Sequence, residues 1–331
     1  MKAPVLAVVV PCHNEEGVLP QTAGRLREAL GRLSAEGLVD GRSFLLFVDD
    51  GSTDGTWAII ERLFEAGDAY GLRLSRNFGQ QAALLAGYRA VRDRADAAIS
   101  IDADLQDDPG AMREMVLRFL EGYDVVYGAR RMRDSDRWFK RATARAFYRL
   151  MRALGVGIVP DHAHFRLLSR RALSAVLRFR EADPFLRGIV PLAGFRQTVV
   201  YYDRLPRTAG ESKYSLRKLV DLAVSGITSF SIRPIRFVTL AGLVVFAVSV
   251  FAGGYTFWSK LAGHAERGWT SLMLSIWFIG GLTLFSLGLV GEYVGRIFLE
   301  VKRRPLYIVE TAVLPDSATK HRERKMSFEN R

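Results

Sequence analysis

Two stretches of this chain carry no charged side chain over lengths that few soluble folds tolerate: residues 237–258, 22 positions, and residues 269–291, 23 positions. About 20 consecutive apolar residues cross the hydrocarbon core of a bilayer. Two such runs joined by a short loop read as a transmembrane hairpin rather than as two buried core helices, which seldom run so long without a charge. The flanking charges set its direction. Arg217, Lys218, Arg233 and Arg236 precede the first run, and Arg296, Lys302, Arg303 and Arg304 follow the second. The loop between carries Lys260 and Arg267, offset by Glu266. Positive charge collects on the cytoplasmic side, so both ends of the chain are expected there.

Charged residues are still 25% of the 331-residue chain, so the part outside the hairpin is far more polar than the average. Residues 1–236 read as a soluble α/β domain. The net charge of +12 raises nucleic acid as a partner, but no zinc-finger, RRM or KH pattern is present. Basic residues beside membrane spans attract anionic headgroups instead, so the expected partner is membrane lipid and not nucleic acid. The single cysteine, Cys12, excludes an intramolecular disulfide. It fits a reducing compartment and reads as a small buried hydrophobe. Residues 3–10 are apolar but stop at Pro11, shortly before Glu15 and Glu16. They are too short for a span and lack a cleavage site, so they read as a strand and not a signal peptide.

The soluble part alternates between strand and helix patterns. Apolar runs at 5–10, 44–48, 72–74 and 97–101 have strand length, and 17–33, 56–64, 80–91 and 111–120 have helical spacing. Such alternation predicts a mostly parallel sheet with helices on both faces. In these sheets ligands bind at the carboxyl ends of the strands. Those ends here carry Cys12-His13-Asn14-Glu15, Asp49-Asp50-Gly51-Ser52, Ser75-Arg76-Asn77 and Asp102-Ala103-Asp104.

Of these, Asp102-Ala103-Asp104 says most about chemistry. Residues i and i+2 of an extended strand point to one side, so both carboxylates can close on one hard cation. Mg²⁺ or Mn²⁺ is usually held by one or two carboxylates while substrate phosphates complete the shell. An isolated D-x-D is also a common solvated turn, and the rest of the chain decides between the two. Residues 48–56 form a strand–loop–helix junction with glycines for the turn and Ser52, Thr53 or Asp54 as helix cap. That role leaves Asp49 and Asp50 unexplained, and a nucleoside's ribose or base is a plausible partner for them. Neither a P-loop nor a dinucleotide fingerprint is present. From Gly128 the chain turns basic, and residues 137–152 place Trp138, Phe139, Phe147, Leu150 and Met151 among Arg137, Lys140, Arg141, Arg145, Arg149 and Arg152. A basic amphipathic helix of this kind reads as a membrane-surface element, and residues 215–237 read as a second one.

Seven stretches, in order, resemble the GT-A glycosyltransferases of family 2, and more closely the polyprenyl-phosphate glycosyltransferases. They are residues 9–16, 48–56 and 75–81, then Asp102-Ala103-Asp104-Leu105-Gln106-Asp107-Asp108-Pro109, then 165–171, 210–214 and Gly291-Glu292-Tyr293-Val294-Gly295-Arg296. The two-span tail is similar to the bactoprenol glucosyltransferase and aminoarabinose transferase type. The resemblance implies a Rossmann-like GT-A fold followed by the hairpin. Pro11, Asn14, Glu15, Asp49 and Asp50, with Asp102, would line a nucleotide pocket. Asp102, Asp104 and Gln106 would hold Mg²⁺ or Mn²⁺ with the diphosphate. Arg130 and Arg141 would meet phosphate, and Arg141, Arg207, Ser212 and Lys213 would hold the acceptor phosphate. Two positions depart from the family pattern: His13 stands where Tyr is usual, and His164 where Asp often precedes the F-R-L-L segment. The implied donor is a UDP-sugar and the acceptor is polyprenyl phosphate, in a homo-oligomer, a tetramer by resemblance, of the bacterial inner membrane.

The expected organisation is a cytoplasmic catalytic domain over 1–214 and interfacial helices over 215–236. A multi-pass hairpin follows over 237–298, and then a basic cytoplasmic tail over 299–331. The expected reaction is inverting sugar transfer. A membrane-tethered nucleotidyltransferase, which would release pyrophosphate, and a non-catalytic nucleotide-binding scaffold remain open on the sequence.

Overall fold

The structure is a computed structural model that describes residues 3–104, 106–130 and 162–203, scattered positions within 238–258, and residues 268–314. The basic stretch 137–152 and the interfacial stretch 215–236 lie outside the described residues, and so do Arg141, Arg207, Ser212 and Lys213.

The strand–helix alternation builds β1 (Leu6–Cys12), α1 (Leu19–Ala35), β2 (Phe44–Asp49), α2 (Thr56–Glu65), β3 (Tyr70–Leu74), α3 (Gln80–Val91), β4 (Ala97–Ser100), α4 (Ala111–Leu120) and β5 (Val125–Arg130). After them come β6 (His162–Ser169), α5 (Arg170–Val176), α6 (Leu186–Leu192) and β7 (Gln197–Tyr202). These seven strands and β8 (Val309–Val313) form one eight-stranded sheet in the order β7-β5-β6-β4-β1-β2-β3-β8. β1 pairs in parallel with β2 and β4, and β2 with β3. β6 runs antiparallel between β4 and β5, and β8 runs antiparallel along β3. This is the GT-A class of sheet expected from the sequence.

Burial follows the pattern that parallel strands covered on both faces require. All seven residues of β1 are buried. Val8, Val10, Leu45, Phe47 and Ile99 of the central strands pack with Leu19, Leu26 and Leu30 of α1. On α3, a side chain at Gly87 would meet Val9 Cγ1 at 2.4 Å and Val48 Cγ2 at 2.9 Å. Glycine there lets the helix lie close on β1 and β2.

The C-terminal part differs from expectation in two respects. The second apolar run forms α7 (Trp269–Lys302), 34 residues long and continuing beyond the expected end at 291. Glu292 and Arg296, one turn apart, pair at 3.2 Å and let the helix carry charge. It stops at Arg303, whose φ of 46° is left-handed, just before Pro305, as helix ends often do. Within α7, Phe278–Lys302 is 25 residues long and includes an 18-residue window of mean hydropathy 1.4, so by length and composition it can cross a bilayer. The described positions within 238–258 are helical as well. Leu240, Val244, Val248, Phe251, Tyr255 and Trp258 there are exposed apolar residues at helical spacing. Secondly, the tail expected over 299–331 is not featureless. Val309–Val313 covers the edge of β3, pairing Leu72 with Ala312 and Arg73 with Thr311. An uncovered β3 would present a row of unpaired backbone groups.

Candidate active site

The carboxyl ends of β1, β2, β4, β5 and β7 share one edge of the sheet with the start of the antiparallel β6. Pro11 is still inside β1, buried opposite Val48. The loop after it is tied to the loop after β2. Asn14, with a φ of 55°, donates its backbone N–H to Ser52 Oγ at 2.9 Å and accepts from Thr53 N at 2.9 Å. Glu15 N donates to Thr56 Oγ1 at 2.9 Å, and Glu16 Oε2 accepts from Gly55 N at 2.7 Å. His13 Nδ1 lies 3.0 Å from the Asp50 carbonyl.

Asp49 ends β2 and Asp50 is the first residue beyond it, and the two carboxylates take different partners. Asp49 is fully buried, accepts from Ser52 N at 3.0 Å, and has Arg73 Nε 3.5 Å from its other oxygen. Asp50 accepts from Phe78 N at 2.7 Å and Gly79 N at 2.9 Å. Burial raises its pKa, and the two N–H donors oppose that rise. Both carboxylates therefore hold the loops that end β2 and β3. Gly51 lies where those loops cross: its φ is 64°, and a Cβ would stand 2.3 Å from the Arg76 carbonyl carbon.

Beyond β4 the chain places three carboxylates in a short turn. Asp102 Oδ1 accepts from Gln80 Nε2 at 2.7 Å, and Asp104 Oδ1 accepts from the backbone N of Gln106 at 3.1 Å. Gln106 itself is buried. Asp107 is fully buried and accepts on one oxygen from Arg130 Nη2 at 2.8 Å and Tyr202 Oη at 2.5 Å. Burial, then the charges of Asp107 and Asp104, push the Asp102 carboxyl up to about 7, against the pull of Arg130 and Arg187. Beneath, Arg166 is fully buried, donates to the Leu186 carbonyl at 3.2 Å, and lies 3.5 Å from His164 Nδ1.

Among the described residues no group of three or more His, Cys, Asp or Glu side chains is placed to hold a metal by itself. The pair Asp102 and Asp104 does fit a divalent ion whose shell a substrate's phosphates complete. A cation there would offset the burial and the neighbouring negative charges that raise Asp102. Of the residues singled out by sequence, Asn14, Asp50, Asp102, Asp104 and Arg130 come together on the carboxyl edge. Asp49 is held within the protein, and the four acceptor-phosphate candidates lie outside the described residues. Sequence reasoning passed over Gln80, Asp107, Arg187 and Tyr202. Asp107 sits inside the D-x-D-L-Q-D run and carried a signal, whereas Tyr202 comes from the far end of the sheet and carried none.

Residues 7–177 match the model of "Glycosyl transferase family 2", and residues 233–297 match that of the "GtrB C-terminal hairpin". The chain is 51% identical over 308 residues to "Uncharacterized glycosyltransferase YkoT" of Bacillus subtilis (strain 168), covering 93% of this chain and 91% of that one. It is 38% identical over 307 residues to "Uncharacterized glycosyltransferase sll0501" of Synechocystis sp., covering 92% and 94%. It is 37% identical over 308 residues to "Bactoprenol glucosyl transferase" of Shigella phage SfII, covering 92% and 97%. With strands β1 to β6 and the acid-lined edge they form inside the matched segment, and with relatives aligned along nearly the whole length, the chain belongs to glycosyl transferase family 2.

Proposed function

We propose that this protein transfers glucose from UDP-glucose to the phosphate of a polyprenyl phosphate, undecaprenyl phosphate, at the cytoplasmic face of the bacterial inner membrane. The observation that carries this reading is the match to bactoprenol glucosyl transferases, which spans both the sheet domain and the hairpin. The product is a lipid-linked sugar that serves cell-envelope glycan modification.

The chemistry needs little from the protein beyond placement. A phosphomonoester loses its second proton near pH 6 (about pKa 6), so the acceptor is already a nucleophile at neutral pH. No general base is required, and catalysis reduces to positioning and electrostatics. Asn14 and Glu15 line the nucleotide side beside Pro11, while Asp49 and Asp50 serve it through the loops they hold. Asp102 and Asp104, with Gln106, would hold Mg²⁺ or Mn²⁺, which would supply positive charge to offset that of the departing diphosphate. Arg130 adds positive charge on the same edge. Arg141, Arg207, Ser212 and Lys213 hold the acceptor phosphate. In-line attack opposite the leaving UDP inverts the anomeric carbon.

The topology supports two crossings. The sheet domain precedes the apolar runs, yet β8, which follows α7, pairs with β3 of the same sheet. A chain that leaves a sheet, enters the bilayer and returns to that sheet crosses an even number of times. With α7 as one span, the run 237–258 is the other. Residues 1–214 then form the catalytic domain, 215–236 the interfacial helices and 237–298 the hairpin.

EDTA removal of the metal and the Asp104→Asn variant test the reading. Transfer should stop with EDTA and return with Mn²⁺ or Mg²⁺, and Asp104→Asn should lower kcat about 100-fold or more. Full activity in both would remove the metal site. Among UDP-glucose, UDP-galactose and UDP-GlcNAc, UDP-glucose should give the highest kcat/KM.

A further inference from the structure

Asp107 poses a physical problem. It is fully buried, one of its oxygens takes every hydrogen bond it receives among the described residues, and the other, Oδ2, is buried with no partner. An anion held on one side only is a poor stabilising device, because buried ion pairs rarely improve on apolar packing. What the arrangement does achieve is geometric. Arg130 Nε at 3.1 Å and Nη2 at 2.8 Å both donate to the same Asp107 Oδ1. Tyr202 Oη donates to that oxygen at 2.5 Å and lies 3.4 Å from Arg130 Nε. Arg130 and Tyr202 are the last register pair of β5 and β7, so they leave the sheet at one point on its carboxyl edge. The guanidinium is gripped along one side. Nη1 has no hydrogen bond among the described residues, and the side chain is 30% exposed.

We propose that Asp107 and Tyr202 are positioning residues that aim the free arm of Arg130 at the diphosphate of the nucleotide-sugar; this rests on the glycosyl-transfer reading given above. A guanidinium clamped through Nε and Nη2 cannot turn away, and fixed Arg geometry is what makes phosphate contacts selective. Tyr202 stiffens the clamp from a second element, and its ring is itself fixed edge-on against Phe165 at 5.3 Å.

A double-mutant cycle on the full-length protein in detergent with Mn²⁺ tests this, read by titration calorimetry with UDP and with uridine. Tyr202→Phe keeps the ring and removes the hydroxyl. It should weaken UDP binding about tenfold, as expected for one lost hydrogen bond to a charged group, and leave uridine binding unchanged. Arg130→Ala should weaken UDP binding further, and in that background Tyr202→Phe should add nothing. Arg130→Lys, which keeps charge but not the fork, should behave like Arg130→Ala toward Tyr202→Phe. Equal losses for UDP and uridine, or an additive effect of Tyr202→Phe on Arg130→Ala, would overturn the proposal and leave the cluster as a structural ion pair. If the unaltered protein binds UDP without transferring sugar, the glycosyl-transfer reading fails while the cycle still judges the clamp. If it binds no UDP, both fail.

Discussion

Substituting Gly51 tests how the loops on the carboxyl edge are held. Gly51 and Gly37 both have left-handed backbones, with φ of 64° and 72°. At Gly37 a new Cβ meets nothing within 4 Å, so Gly37→Ala costs only the left-handed penalty, about 1–2 kcal/mol. At Gly51 the Cβ would also stand 2.3 Å from the Arg76 carbonyl carbon and 2.6 Å from Asn77 N. These are backbone atoms, so the loop must move. It carries Phe78 N and Gly79 N, which hold the buried Asp50 at 2.7 and 2.9 Å. Hydrogen bonds to a charged group contribute about 1.5–3 kcal/mol each. Gly51→Ala should therefore cost about 4 kcal/mol or more. At about 2–4 °C per kcal/mol for a domain of this size, that is on the order of 10 °C in Tm, against a few degrees for Gly37→Ala. Fluorescence melting of both variants in the same detergent measures the difference. Melts that coincide within about 2 °C would refute the claim that the two loops meet at Gly51.

Proton and metal should compete for Asp102. Its carboxyl is raised to about 7 in the metal-free protein by burial and by Asp107 and Asp104, so it is largely protonated below that pH. Mn²⁺ affinity, by calorimetry, should fall about tenfold per pH unit below 7 and level off above it; affinity unchanged across that range would contradict the placement of Asp102. The same raised pKa favours folding of the metal-free protein as pH drops from about 7 toward the unfolded value of 3.8, so its Tm without metal should be higher near the acid end of that window. Arg73 Nε lies 3.4 Å from Glu310 and 3.5 Å from Asp49. Ending the chain after residue 304 removes β8 and should lower the Tm of the sheet domain, whereas Glu310→Ala, on a half-exposed pair, should shift it by less than about 2 °C. A reporter fused after Arg331 should read as cytoplasmic and one inserted at residues 260–267 as external; the reverse would separate the site from cytoplasmic UDP-sugars.

Much of the sheet domain was legible because its elements are written locally. The apolar run at 44–48 became β2, and the helical spacing at 80–91 and 111–120 became α3 and α4 with the same bounds. What escaped depends on pairing between distant segments. Nothing in the sequence of β6 says that it inserts antiparallel between β4 and β5. Val309-Glu310-Thr311-Ala312-Val313 is too short and too mixed to stand out from a basic tail, and it becomes a strand because β3 offers an open edge. The site divides in the same way. Asp102 and Asp104 were readable as a pair close to a strand's end, but β4 stops at Ser100 and they lie in the turn that follows rather than on one face of the extended strand expected. Asp50 was singled out for a nucleotide, yet its oxygens hold the loop at Phe78 and Gly79, a contact 28 residues away in the chain. Tyr202 joins Asp107 across 95 residues, and no local pattern encodes that meeting.

Following the sugar tests the proposed transfer most directly. Purified protein in detergent is given Mn²⁺, undecaprenyl phosphate and UDP-glucose labelled in the sugar. The label should pass into the lipid phase with one UDP released per labelled lipid and with the anomeric configuration inverted. Release of pyrophosphate, or UDP-glucose bound with no label in the lipid, would contradict it.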